Sequence, residues 1–98
     1  MREKILVNEN CFAVYGWMVN RLRLKGNELM IYAIIYGFTQ VEVGEYSLGY
    51  NYLVEWTGAS KNTVIRSVNS LVSKGYISKT TKEINNVLFN NYRAVRGI

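Results

Sequence analysis

A chain of 98 residues, 49% of them hydrophobic and none of them histidine, aspartate or proline, has the length and composition of one globular domain. A catalytic Ser-His-Asp or Cys-His arrangement is excluded, and the single cysteine, Cys11, allows neither an internal disulfide nor a zinc site. No apolar run approaches the ~20 residues of a membrane span. We therefore expect a cytoplasmic protein that is not an enzyme and requires no cofactor and no metal.

The net charge of +5 is unevenly distributed along the chain. Residues 26–59 contain four glutamates and no lysine or arginine, whereas residues 60–98 contain seven basic residues and one glutamate. A basic segment beside an acidic one indicates a face that meets phosphate groups. Charge alone leaves a solvated basic surface as the alternative.

The first predicted element is a short amphipathic helix within residues 12–24. Tyr15, Met18, Val19 and Leu22 recur there at the i, i+3, i+4, i+7 spacing of one helical face. These residues indicate a helix that packs one side against the rest of the domain.

A second helix is predicted from Glu28 to Phe38, with Asn27 as its N-cap. It is apolar on nearly every side, so it must be covered all round. We expect residues 12–38 to contribute to a homodimer contact, although the N-terminal segment covering this helix within one subunit is the alternative.

Thr39 to Glu45 is predicted to be a loop, followed by a brief strand at Tyr46-Ser47. A short third helix then includes Tyr50, Leu53, Val54 and Trp56 and ends near Gly58, since glycine readily adopts the left-handed conformation of a helix end.

Ser60 is predicted to cap a fourth helix that runs to Lys74 and is stopped by Gly75. Its inward face carries Val64, Val68, Leu71 and Val72 at 3.6-residue spacing. The two helices and the tight turn at 57–59 are predicted to form a helix-turn-helix over residues 50–74, a motif whose second helix enters the major groove of DNA.

The outward side chains of this fourth helix are small, polar or basic, as contact with base edges and phosphates requires. No glutamate occurs between residues 60 and 74, which is unusual for a surface helix that is merely solvated. The predicted DNA-binding residues of the helix are Ser60, Lys61, Asn62, Thr63, Arg66, Ser67 and Ser70.

After Gly75 the pattern becomes strand-like, which predicts a C-terminal β-hairpin, or wing, over residues 76–92. Short strands at 76–79 and 87–89 are expected to flank a polar tip from Thr80 to Asn86. Lys79 and Lys82 complete the predicted DNA-binding set as wing residues that meet the minor groove or the DNA backbone.

The predicted fold class is α+β and mostly α: a winged helix-turn-helix with a three-helix core, a wing and an extra N-terminal helix. Residues 1–98 form one domain, divided into an N-terminal extension (1–24), a helical core (25–75) and the wing (76–92). The residues expected to be buried are Leu29, Ala33, Leu53, Val64, Val68, Leu71 and Ile77.

The segment Ser60-Lys61-Asn62-Thr63-Val64-Ile65-Arg66-Ser67-Val68, followed by Lys74-Gly75-Tyr76-Ile77, resembles the recognition helix and first wing strand of winged-helix regulators. With residues 14–19, 24–29, 32–37 and 52–58, the chain resembles the N-terminal winged-helix domains of phage and mobile-element replication proteins, which are akin to the DnaD primosomal family.

The resemblance implies sequence-specific or structure-specific binding of double-stranded DNA in replication initiation or transcription regulation of a phage or mobile element. Replication proteins are implied as possible partners. The alternative is a protein-interaction or oligomerisation module of a primosome-like assembly that binds little DNA itself.

Overall fold

The computed structural model describes residues 12–40 and 44–95. Four helices precede an antiparallel hairpin, which confirms the winged helix-turn-helix and its mostly helical α+β class. Cys11 lies outside the described residues. The elements are α1 (Gly16–Asn20), α2 (Gly26–Thr39), α3 (Gly49–Thr57), α4 (Lys61–Ser73), β1 (Ile77–Ile84) and β2 (Val87–Ala94).

Helix α1 is much shorter than the sequence predicted, because the chain leaves the helix after Asn20. Leu22 and Leu24 then reach the core from an irregular segment in which Arg23 has a positive φ of 59°. The predicted inward face is half right: Met18 and Leu22 are buried, whereas Tyr15 and Val19 are exposed. Tertiary packing of the leucines therefore overrides the helical pattern.

Helix α2 begins at Gly26, so the prediction of Asn27 as its N-cap was wrong; Lys25 holds that position without a side-chain cap. The helix packs against α1, α3, α4 and β2, and Ile31–Tyr36 are all buried within one chain. The coverage that an all-round apolar helix requires is thus supplied by the subunit itself. The homodimer therefore remains a prediction, but the burial of α2 does not require it.

The core forms where α2, α3 and α4 meet the base of the wing. Six of the seven residues predicted to be buried are buried, namely Ala33, Leu53, Val64, Val68, Leu71 and Ile77. Leu29 is the exception: it is half-buried at the edge of the core, in the first turn of α2.

An ion pair joins the start of α2 to the end of α4. The Lys74 ammonium lies 2.8 Å from the Glu28 carboxylate, and Ser70 also hydrogen-bonds that carboxylate. Burial disfavours the ionised form of Glu28, but the hydrogen bonds and the charge of Lys74 outweigh burial, so its pKa lies below the usual value. The C-terminal end of α4 is therefore held against the N-terminal end of α2.

The wing has longer strands and a shorter tip than predicted. Strands β1 and β2 pair from Ile77↔Ala94 to Ile84↔Val87, which leaves Asn85 and Asn86 as a two-residue turn. Both asparagines have positive φ values, 52° and 66°, as a type I′ turn requires, and asparagine tolerates this conformation well. The polar stretch Thr80–Ile84 therefore belongs to β1 and is not part of a loop.

The base of the wing is anchored to the helices by tyrosines. The predicted strand at Tyr46 is a single antiparallel bridge to Tyr92, closed by backbone hydrogen bonds of 2.6 and 2.9 Å. The Tyr46 hydroxyl donates to the Gly49 carbonyl oxygen, and the Tyr50 and Tyr92 hydroxyls lie 3.2 Å apart. Burial raises the pKa of both Tyr46 and Tyr92, so both phenols stay neutral.

Candidate nucleic-acid interface

The turn between α3 and α4 is built by Thr57, Gly58 and Ala59. Gly58 adopts the left-handed conformation (φ 75°) that ends α3, and its N–H donates to the Val54 carbonyl. The Thr57 hydroxyl donates to the Leu53 carbonyl and accepts from the Ala59 N–H at 3.1 Å. These bonds set the direction in which α4 leaves the turn.

Helix α4 begins with a small hydrogen-bond network. Ser60 is the N-cap, as predicted, and its hydroxyl oxygen accepts from the Thr63 N–H at 3.2 Å. The Thr63 hydroxyl oxygen in turn accepts from the Arg66 guanidinium at 3.4 Å. A third hydrogen bond joins the Ser60 and Thr63 hydroxyls, and all three bonds are exposed. Arg66 is therefore held along the N-terminal half of the helix.

The exposed face of α4 centres on Asn62, Arg66 and Asn69. These positions are i, i+4 and i+7, so they form one stripe along the helix, opposite the buried Val64 and Leu71. Asn69 was missed at the sequence level, although its spacing from Arg66 and Asn62 is a signal that could have identified it. The stripe presents side-chain amides and a guanidinium, groups able to form paired hydrogen bonds with base edges.

Two of the predicted contact residues on α4 point elsewhere. Ser67 is buried, with 8% of its surface exposed, because it lies one helical turn from both Val64 and Leu71 on the core side. Ser70 is half-buried and hydrogen-bonds Glu28 of α2. Ser67 therefore does not belong to the exposed face of α4, and Ser70 lies at the margin of that face.

The remaining predicted residues on α4 are Ser60, Lys61 and Thr63. Ser60 and Lys61 are exposed at the start of the helix, and Thr63 is half-buried. The first turn of α4 contains no acidic residue, so the positive end of its helix dipole is unopposed there. With Asn62 and Arg66, these residues make the N-terminal half of α4 the polar and basic part of the helix.

The two predicted wing lysines lie on opposite faces of the hairpin. Both are in β1, three positions apart, and side chains alternate between faces along a strand, so they point to opposite sides. Lys82 lies 3.5 Å from the Glu45 carboxylate, whereas Lys79 is exposed and has no ionic partner among the described residues. Lys79 is therefore the better placed of the two to meet phosphate.

Within residues 12–40 and 44–95, no cluster of three metal-binding side chains occurs. None of the helices in this part of the chain has both the length and the hydropathy to cross a membrane.

A family model described as "Helix-turn-helix domain" matches residues 22–77, which is more than half of the chain. The match spans α2, α3 and α4 and ends at the first residue of β1. No curated protein and no solved structure matches the chain significantly.

Proposed function

Because the chain belongs to the helix-turn-helix domain family, we propose that it binds double-stranded DNA with α4 in the major groove. One observation carries the proposal: the exposed stripe of Asn62, Arg66 and Asn69 lies on a helix that has no acidic residue. A merely solvated helix normally mixes both charge signs on its outer face.

Within this arrangement, base-reading and phosphate-binding residues have different roles. Arg66 is suited to bond guanine O6 and N7, and Asn62 and Asn69 are suited to bond adenine N6 and N7. Lys61 and Lys79 meet phosphates, which supply affinity but no sequence information. The protein acts by binding and not by catalysis.

The proposed setting is the cytoplasm, in replication initiation or transcription regulation of a phage or mobile element. Support comes from the resemblance to DnaD-like winged-helix domains, and replication proteins are the further partners that this setting implies.

A second candidate function is protein interaction through residues 12–38, including homodimer formation. The observation in its favour is the exposure of apolar side chains beside α1, where Val14, Tyr15 and Val19 are 46%, 41% and 43% exposed. Sedimentation at high micromolar protein concentration tests homodimer formation. A protein that is monomeric at that concentration would contradict the homodimer.

The experiment that tests DNA binding is a titration of random-sequence duplex at several salt concentrations. Binding driven by phosphate contacts releases counterions, so the logarithm of the affinity must fall linearly with the logarithm of salt concentration. Affinity that is undetectable at low salt, or that does not change with salt, contradicts the proposal.

Lys79→Ala is expected to weaken binding to every duplex sequence alike and to lower the salt slope by about one unit, because one phosphate contact is lost. Lys25→Ala is the control with the same charge change. Lys25 is exposed at the start of α2. The ion pair between Lys74 and Glu28 holds the start of α2 beside the C-terminal end of α4, and the proposed contact residues lie in the N-terminal half of α4. Equal effects from the two variants would show that only net charge matters.

A further inference from the structure

The end of the wing is the most exposed apolar part of the described chain. Ile84, Val87, Leu88 and Phe89 are 56%, 51%, 69% and 47% exposed, and all four surround the two-residue turn. Soluble proteins scatter exposed apolar residues singly, so a group of four marks a contact surface.

The group occupies both faces of the hairpin. Residues paired across an antiparallel ladder share a face, so Ile84 lies beside Val87, and Phe89 is on the same face opposite Lys82. Leu88 is on the other face, opposite Glu83. A patch that docks on another protein surface needs one apolar face, whereas a hairpin with apolar side chains on both faces of its end has the form of a wedge.

A second copy of the chain is a poor occupant for this surface. The four half-exposed side chains present roughly a few hundred Å², whereas a stable protein interface buries about 800 Å² on each partner. The hairpin also carries Lys79, Lys82 and Arg93 against Glu83 alone, so two wings brought end to end would repel each other. The charged residues along β1 further protect its free edge from pairing with another strand.

The same positive charge suits a duplex that is already held by α4. Only Lys74, Gly75 and Tyr76 separate α4 from β1, and backbone hydrogen bonds from Gly75 to Val72 and from Tyr76 to Leu71 fix that connection. The wing is therefore tied to the helix that meets the DNA. The minor groove is about 6 Å wide, so side chains at the end of the hairpin can enter it but the hairpin backbone cannot.

We propose that the wing tip (Ile84, Val87, Leu88 and Phe89) is a wedge that enters the minor groove beside the α4 site and bends the duplex. This inference rests on the proposed DNA binding. Apolar side chains inserted between base steps unstack them and kink DNA by about 20–90° toward the major groove. Lys79 holds a flanking phosphate while the apolar side chains displace the base step.

The test compares the wild type with a triple variant, Ile84→Thr, Leu88→Thr and Phe89→Thr, which removes the three largest apolar side chains of the wing tip. Threonine keeps the strand propensity and removes the apolar surface, and circular dichroism verifies that the variant folds. Leu48→Thr, at a leucine that is 51% exposed just before α3, is the matched control. Energy transfer between dyes at the two ends of a duplex reports the bend, and a titration of the same duplex reports the affinity.

We expect the wild type and Leu48→Thr to bring the duplex ends together by a bend of at least about 20°. The triple variant should leave the duplex straight and bind about tenfold more weakly, with an unchanged salt slope because Lys79 and its phosphate contact remain. A wild type that binds a straight duplex, or a triple variant that bends it equally, overturns the wedge but not DNA binding. The wedge is also overturned if the wild type self-associates, the triple variant does not, and both bend the duplex equally. In that case a second copy of the chain occupies the wing tip.

Discussion

Replacing Arg66 with alanine is expected to weaken binding to the preferred duplex by about 1–3 kcal/mol and to relax the preference at one base position. The guanidinium lies on the exposed stripe of α4, where Thr63 holds it by a hydrogen bond of 3.4 Å. Its two parallel donors match the O6 and N7 acceptors of guanine. Selection of bound sequences from a random duplex pool, followed by sequencing, measures the change for the wild type and the variant.

Arg66→Lys is the control for charge, since lysine keeps the cation but not the paired donors. We expect this variant to retain binding to random duplex and to show a weaker preference at the same base position, since an ammonium still donates to guanine O6 and N7 but in a less fixed geometry. If Arg66→Ala selects the same sequences with the same affinity as the wild type, Arg66 reads no base and its proposed role is wrong.

Replacing Leu53 with alanine is expected to lower the free energy of unfolding by about 2–5 kcal/mol. The Leu53 side chain is fully buried in α3, at the heart of the helix-turn-helix, and truncation leaves a cavity between tightly packed helices. Urea unfolding followed by circular dichroism measures the loss.

Leu48→Ala makes the same chemical change at a side chain that is 51% exposed, just before α3. The free energy of unfolding should change there by less than about 0.5 kcal/mol, as for most surface substitutions. Equal losses from the two variants would contradict the packing described for α3 and α4.

The helix-turn-helix could be predicted from the sequence because the residue types and their spacing agree with the hydrogen bonds and the burial seen in the structure. Ser60 is an N-cap by residue type and also by its bond to Thr63, and Gly58 supplies the left-handed residue that the turn requires. The apolar positions Val64, Val68 and Leu71 repeat with the helical period and are all buried.

The N-terminal helix and the wing were predicted less well because tertiary contacts decide their limits. Leu22 continues the helical spacing of Met18, yet it reaches the core from an irregular segment after α1 has ended. In the wing, the polar residues 80–83 resemble a loop, but cross-strand pairing extends both strands to a turn of two asparagines. Neither pairing nor packing is visible in the local sequence.

The helix that carries the candidate interface could be predicted from the sequence, whereas the residues of its exposed face were predicted imprecisely. Both Ser67 and Asn69 are polar and lie in the same turn of α4, so residue type alone does not separate them. Their helical positions do: Ser67 lies one turn from the buried Val64 and Leu71, whereas Asn69 lies on the exposed side with Asn62 and Arg66.

The measurement that tests DNA binding through α4 most directly is a comparison of two double variants with equal charge. Lys61→Ala with Arg66→Ala removes two cations from the N-terminal half of α4, and Arg21→Ala with Lys25→Ala removes two exposed cations between α1 and α2. Affinity for duplex DNA at one fixed salt concentration should fall about tenfold or more for the first pair and little for the second. Equal losses from the two pairs, or no loss from the first, would contradict an interface on α4.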